Sequence, residues 1–332
     1  MLPKIEELIS SFLDRARGAL FMEHLMKTVV FAYHNMGVTG LEALQRAGFE
    51  IAAVFSHEDN PQENCWFSSV KDYALEREIP LFCPENVNTA DWIGKIASWT
   101  PEAIFSFYYR SLLSSEILAI PHARAFNLHG SLLPYYRGRC PVNWVLVNGE
   151  KETGVTLHCM VEKADAGDIV AQKAVSIDFA DTAHTLYKKL CEQAALLLDE
   201  ILPMIKAGTA PRIPQDLNSG SYFGRRTAAD GRIDWRWPAP RIYNLIRAVT
   251  APYPGAFTFT KGGAKMLIWW ALPEESGMEG EPGGIDMEGG SVLVAAGDGG
   301  RVRLLDIEIN GRRLKNGEIE RYFSNKEGEF LL

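Results

Sequence analysis

The sequence lacks the devices that mark nucleotide-driven and metal-dependent enzymes. Gly37 and Gly40 follow the first predicted strand, but neither GxGxxG nor GxxxxGK[ST] is present there. A dinucleotide or P-loop site therefore has no support. HExxH is absent, and no His, Cys, Asp or Glu cluster has ligand spacing, so no metal is expected. Five cysteines, at 65, 83, 140, 159 and 191, are scattered without a CxxC pair. That argues against a disulfide framework and for a reducing, cytoplasmic setting. No apolar run is long enough to span a bilayer. Positive charge is also in short supply, with 34 Lys and Arg against 42 Asp and Glu. A net charge of -8 argues against a large nucleic-acid interface, which needs cations to displace counterions.

What is present is ample core: 47% of the 332 residues are hydrophobic and 23% are charged. Residues 1–25 carry Ile5, Leu8, Ile9, Phe12 and Leu13 at helical spacing, broken by acids. They lack the order of a signal peptide and read as a short amphipathic helical extension. From Lys27 the chain alternates short apolar strands with helices. The strands are read at 27–33, 49–55, 80–82, 103–108 and 125–128. The helices are read at 40–47, 69–77, 91–98 and 114–118, with 34–39 a loop. This alternation predicts an α/β fold with a Rossmann-like, doubly wound, mostly parallel sheet. Strands at 155–161 and 169–173 and a helix at 182–202 complete a catalytic domain over 26–210. A polar connection, 211–240, leads to 241–332. There a helix at 241–249 precedes short strands at 256–260, 264–271, 291–296 and 302–309, with 277–290 a Gly-rich loop. That pattern predicts a smaller β-barrel-like, OB-like domain.

The most informative stretch is Phe126-Asn-Leu-His-Gly-Ser-Leu-Leu-Pro134. Asn127 and His129 are two apart, and in an extended segment they point to the same side. A carboxamide can stabilise an oxyanion, and an imidazole can move a proton. The pairing suits acyl or formyl transfer to an amine. Taken alone, it fits equally well a strand-end Asn capping a turn beside a locally bonded His. Tyr135-Tyr-Arg-Gly-Arg139 follows and puts cations and a glycine beside the pair, as an anionic ligand needs. Its bland counterpart is a solvated basic loop. Downstream, Asp165 and Asp168 share a small-residue turn, and either carboxylate could orient the imidazole. Spacing does not choose between them. His24, His34, His57, His122, His158 and His184 stand alone and read as structural, though His34 and His57 lie in strand-end loops open to a ligand.

Asn127-x-His129-Gly-Ser131-Leu-Leu-Pro134-x-Tyr136-Arg137-Gly138, with Asp165 downstream, resembles the folate-dependent formyltransferase family. That family includes methionyl-tRNA formyltransferase, sugar-nucleotide N-formyltransferases and a glycinamide ribonucleotide branch. The stretches 26–34, 57–61, 104–110, 143–149, 152–158, 164–167 and 223–227 narrow the likeness. They are similar to the formyltransferase half of the bifunctional polymyxin-resistance enzyme, which acts on UDP-4-amino-4-deoxy-L-arabinose in lipid A modification. The dehydrogenase half of that enzyme has no counterpart here, and Asn35 and Cys140 stand where Asp and Ala are expected. The resemblance implies Asn127, His129 and Asp165 as the catalytic trio. It implies 10-formyltetrahydrofolate as formyl donor, held by Ser111, Leu112, Leu113, Arg139 and the stretch Val161, Glu162, Lys163, Ala164 and Asp165. It implies a UDP-aminosugar acceptor, near His34, Tyr136 and Arg137. Methionyl-tRNA and other nucleotide aminosugars are the alternative acceptors. The acidic loop at 56–64, where the tRNA enzymes carry a basic insertion, counts against tRNA.

Overall fold

The computed structural model describes residues 25–59, 66–274, 280–324 and 330–332. The expected N-terminal helix, apart from Leu25, lies outside these residues, as do Cys65 and the end of the acidic loop.

The strands of the first sheet are β1 (Lys27–Ala32), β2 (Glu50–Phe55), β3 (Leu81–Phe82), β4 (Ala103–Phe107), β5 (Arg124–His129), β7 (Glu152–Cys159) and β8 (Ile169–Ser176). Their order is β3-β2-β1-β4-β5-β7-β8. β1 to β5 run parallel, whereas β7 and β8 run antiparallel to their neighbours. The chain winds outward from β1 in both directions, so a crevice forms at the carboxyl ends of the strands. The helices are α1 (His34–Arg46), α2 (Val70–Glu76), α3 (Ala90–Ser98), α4 (Ser115–Leu118), α5 (Pro141–Val147) and α6 (Ala183–Lys206). α1 and α6 cover one face; α3 and α4 help to cover the other. β1 and β4 are apolar throughout their middles because both their faces are buried. Phe31, Phe55, Phe105 and Phe107 are fully buried, each stabilising the fold by roughly 1.5–3 kcal/mol through burial.

One predicted loop is helical. Residues 34–39 form the first half of α1, because packing outweighs the weak propensity of their glycine and β-branched residues. The Tyr187 hydroxyl on α6 accepts the Met36 N–H at 2.9 Å and pins this start. α6 itself begins at a Thr182–Thr185 capping box.

A small parallel pair, β6 (Arg137–Gly138) and β9 (Tyr222–Phe223), ties the motif loop to the connection. α7 (Ala239–Val249) then leads into β10 (Ala256–Phe259), β11 (Lys265–Glu274), β12 (Ile285–Glu288), β13 (Ser291–Ala295), β14 (Arg301–Ile309) and β15 (Arg312–Lys315), with α8 at Gly317–Phe323. The antiparallel order is β10-β11-β14-β13-β12, with β15 on β14. Residues 330–332 bridge the two outer strands: Leu331 pairs with Thr260 and Phe330 with Gly284. This draws the sheet towards the expected barrel. The Gly-rich stretch read as a loop contains β12; its residues 277–279 lie outside the described ones. Asn143 donates to the Ala248 carbonyl at 2.7 Å and Tyr243 to the Phe179 carbonyl at 2.5 Å, joining the two sheets' domains.

Candidate active site

β5 lies between β4 and β7, and Asn127 and His129 stand near its carboxyl end. On β7 the residue directly opposite Asn127 is His158, and Thr156 is opposite His129. Cross-strand partners share a face, so register alone delivers His158 to Asn127. Asn127 Nδ2 lies 3.1 Å from His158 Nε2. The histidine read as solitary therefore belongs to the cluster. Alternation through β7 puts His158 on the same face as Thr156, but only the antiparallel register, which no local pattern specifies, sets it opposite Asn127.

Asp165 arrives from the loop after β7, with a left-handed backbone at φ 52°. Its Oδ2 accepts the Gly138 N–H at 2.9 Å. Its Oδ1 lies 3.6 Å from His129 Nδ1, 3.5 Å from His158 Nε2 and 3.5 Å from Asn127 Nδ2. One carboxylate oxygen is thus nearly equidistant from three nitrogens. Burial opposes ionisation of Asp165, but its polar neighbours, the Gly138 amide among them, outweigh it and hold the carboxyl well below its usual range. Asp168 does not compete for the imidazole: it pairs with Arg212 at 2.7 Å. Geometry thus decides what spacing left open. Gln215 steadies the loop by donating to the Asp165 and Gly167 carbonyls.

His129 Nε2 lies 2.8 Å from the Tyr136 carbonyl, which can only accept. The Nε2 proton is therefore fixed, and Nδ1 carries the lone pair of the neutral ring. Gly138, at φ 94°, has no room for a Cβ, which would lie 2.3 Å from the Phe223 carbonyl. Its close approach brings the Gly138 amide to Asp165.

Of the residues expected at the donor, Ser111 and Leu112 are exposed and Leu113 is half-buried. Asn88 clamps this segment by donating to the Leu112 carbonyl and accepting the Ser114 N–H. Arg139 joins it through the Arg110 carbonyl at 3.4 Å. Val161, Glu162 and Lys163 are exposed, with Ala164 half-buried behind them. A cavity of about 370 Å³ opens beside this loop, lined by Leu118, Ala125, Met160 and Val161 among others. Ala125 is two residues before Asn127, hence on the same face of β5 and roughly 6–7 Å away along the strand.

The residues expected at the acceptor diverge. Arg137 is buried, and its guanidinium donates to the Leu217 carbonyl at 3.3 Å, so it is not a solvated loop cation. Tyr136 stacks on Phe223 at 4.9 Å, and Trp144 packs on the same ring at 5.0 Å. Arg226 lies over Trp144 at 4.5 Å. His34 is elsewhere: it bonds Tyr187 through Nδ1 at 3.0 Å and stacks on Phe67 at 3.7 Å. Burial, then Arg110, lowers its pKa to about 3. His57 is likewise engaged. It accepts the Arg110 N–H at 3.0 Å, stacks on Tyr109 and has its pKa lowered by burial to about 4.

Comparison with known proteins places the fold in a family. The family model described as Formyl transferase matches residues 26–202, and that described as Formyl transferase, C-terminal domain, matches 225–319. Among solved structures, the chain is similar to an N-formyltransferase from Helicobacter canadensis in complex with folinic acid and dTDP-3-aminofucose. They share 22% identity over 84% of this chain and 98% of that one, with a TM-score of 0.66. A sugar N-formyltransferase from a Shewanella species matches at 19% identity over 74% and 98% of the two chains, TM-score 0.60. HypX from Aquifex aeolicus in complex with tetrahydrofolic acid matches at 18% identity over 91% of this chain and 48% of that one, TM-score 0.59. At these identities the likeness establishes a common fold.

Proposed function

The chain belongs to the formyl transferase family, and from that premise we propose that it is an N-formyltransferase of a nucleotide-linked aminosugar. The donor is 10-formyltetrahydrofolate, and the acceptor that its sequence favours is UDP-4-amino-4-deoxy-L-arabinose. The observation that carries this reading is the convergence of Asn127, His129 and Asp165 at the end of β5. The cavity beside Ala125 supports the donor assignment. It has the volume of a small-molecule site, and Val161 of the expected donor stretch lines it. The exposed 161–163 stretch begins at that lining, and Arg139 bonds the Arg110 carbonyl beside the 111–113 segment. The stacked Tyr136, Phe223 and Trp144 surface, with Arg226 across it, offers a nucleotide both a flat apolar face and a cation.

In this reading the acceptor's amine attacks the formyl carbon. His129 Nδ1 removes the amine proton, directly or through a water, and the Asp165 carboxylate stabilises the imidazolium. Asn127 donates an N–H to the oxygen as it becomes an oxyanion, an effect commonly worth about 2.7–4 kcal/mol. Collapse breaks the bond to the folate nitrogen, which receives a proton as it leaves. The products are a formamide on the sugar and tetrahydrofolate. Incubating the protein with 10-formyltetrahydrofolate and the UDP-sugar, and following the formylated product by mass, tests the proposal. Formylation of methionyl-tRNA alone would replace the acceptor.

A further inference from the structure

We propose that His158 is a positioning residue: its Nε2 fixes the carboxamide of Asn127 so that one amide N–H remains for the developing oxyanion. This role rests on the N-formyltransferase reading above. The orientation beneath it rests on geometry alone.

His158 is only 2% exposed, so its ring has no bulk water to satisfy it. Its Nδ1 lies 2.9 Å from the Cys159 carbonyl, an atom that only accepts. The proton of the neutral ring is therefore on Nδ1, and Nε2 carries the lone pair. Nε2 faces Asn127 Nδ2 at 3.1 Å, and an amide nitrogen only donates. Each assignment enforces the other. Turning the amide over would set its oxygen against the Nε2 lone pair and leave two buried acceptors unpaired.

The first amide N–H is thus committed to His158. Among the described residues, the second is held only by Asp165 Oδ1 at 3.5 Å, beyond the usual length of a good N–H···O bond. It is the proton that can move to a substrate oxygen at little cost. Asp165 cannot supply this orientation by itself, since its Oδ1 is shared among three nitrogens at 3.5–3.6 Å. The strand register that sets Asn127 against His158 makes the arrangement rigid before any ligand arrives.

Two variants and one spectroscopic measurement test this. His158→Leu removes the acceptor; His158→Gln offers a carbonyl oxygen in its place. His158→Leu is expected to lower kcat by about 10–100-fold, the scale of a misplaced catalytic group, with KM for both substrates unchanged. His158→Gln is expected to recover most of that loss. In the Asn127→Ala background, His158→Leu should cost almost nothing more, because the group it positions is gone. Wild-type turnover in His158→Leu, or a full additional loss in the double variant, overturns the proposal. Nitrogen-15 NMR of the imidazole in the intact protein reads the orientation without any substrate and in a chain with no core change. A neutral ring with its proton on Nδ1 and a bare Nε2 is expected, and a neutral ring protonated at Nε2 overturns the proposal. If the wild type formylates no nucleotide aminosugar, the functional reading fails, while the NMR result still decides the orientation.

Discussion

His129 presents Nδ1, not Nε2, to Asp165, at 3.6 Å from Oδ1. The Tyr136 carbonyl at 2.8 Å dictates this by claiming the Nε2 proton. A neutral His129 therefore offers its lone pair beside a carboxylate. That placement favours the ring once it has gained a proton, which is the state a base reaches as the amine attacks. The same carboxylate also touches His158 and Asn127. Four side chains from β5, β7 and the following loop thus act through one oxygen atom.

Removing the proposed base should be severe. His129→Ala is expected to lower kcat by about 10²–10⁴-fold, the usual worth of general-base catalysis. Asp165→Asn should fall in the lower part of that range, since the imidazole stays but loses its charged partner. Steady-state kinetics with near-ultraviolet circular dichroism as a folding control measures both. A His129→Ala protein with normal turnover contradicts the proton-transfer role.

The proposed oxyanion donor should separate binding from chemistry. Asn127→Ala should reduce kcat by about 10²–10³-fold and leave the KM of the amine acceptor nearly unchanged. An interaction formed only as charge develops on oxygen cannot contribute to ground-state binding. A rise in KM at constant kcat would assign Asn127 to substrate binding.

Gly167 bears on the position of Asp165. A Cβ at residue 167 would lie 2.0 Å from the Cys159 carbonyl oxygen, and backbone must yield to make room. Gly167→Ala is expected to shift the Asp165 loop, cutting kcat by about tenfold or more and lowering the melting temperature by several degrees. Calorimetry and kinetics on the same variant check the two effects.

His34 sets a pH dependence of stability. Its folded pKa of about 3 is below the ordinary value of 6.5, so the unfolded chain binds the proton first. Stability is then full above about pH 6.5 and falls as pH drops towards 3. Between pH 7 and pH 5 this residue alone should remove about 1–2 kcal/mol. His34→Gln should flatten the loss in urea titrations at the two pH values. A wild-type protein equally stable at both would show that His34 is not held neutral.

The sequence made the strand–helix alternation legible because the buried strands are largely continuous apolar runs, as Val29–Ala32 and Ala103–Phe105 illustrate. The start of α1 at His34 was hidden, since only its packing on α6 makes residues 34–39 helical. Within the site, the motif marked Asn127 and His129, and family likeness favoured Asp165 over Asp168. His158 was illegible because its role depends on antiparallel register between β5 and β7, which no local pattern specifies. The short β6–β9 pair, which buries Arg137, was illegible for the same reason. Long-range pairing of two-residue strands leaves no periodicity to read.

The central claim is tested most directly by a side-by-side acceptor assay with 10-formyltetrahydrofolate. UDP-4-amino-4-deoxy-L-arabinose, several other UDP- and dTDP-aminosugars and methionyl-tRNA would be supplied separately, and kcat/KM measured for each. The account predicts formylation of a nucleotide aminosugar, with the UDP-arabinose derivative the best substrate, and none of methionyl-tRNA. Turnover of methionyl-tRNA with no aminosugar formylated would contradict it.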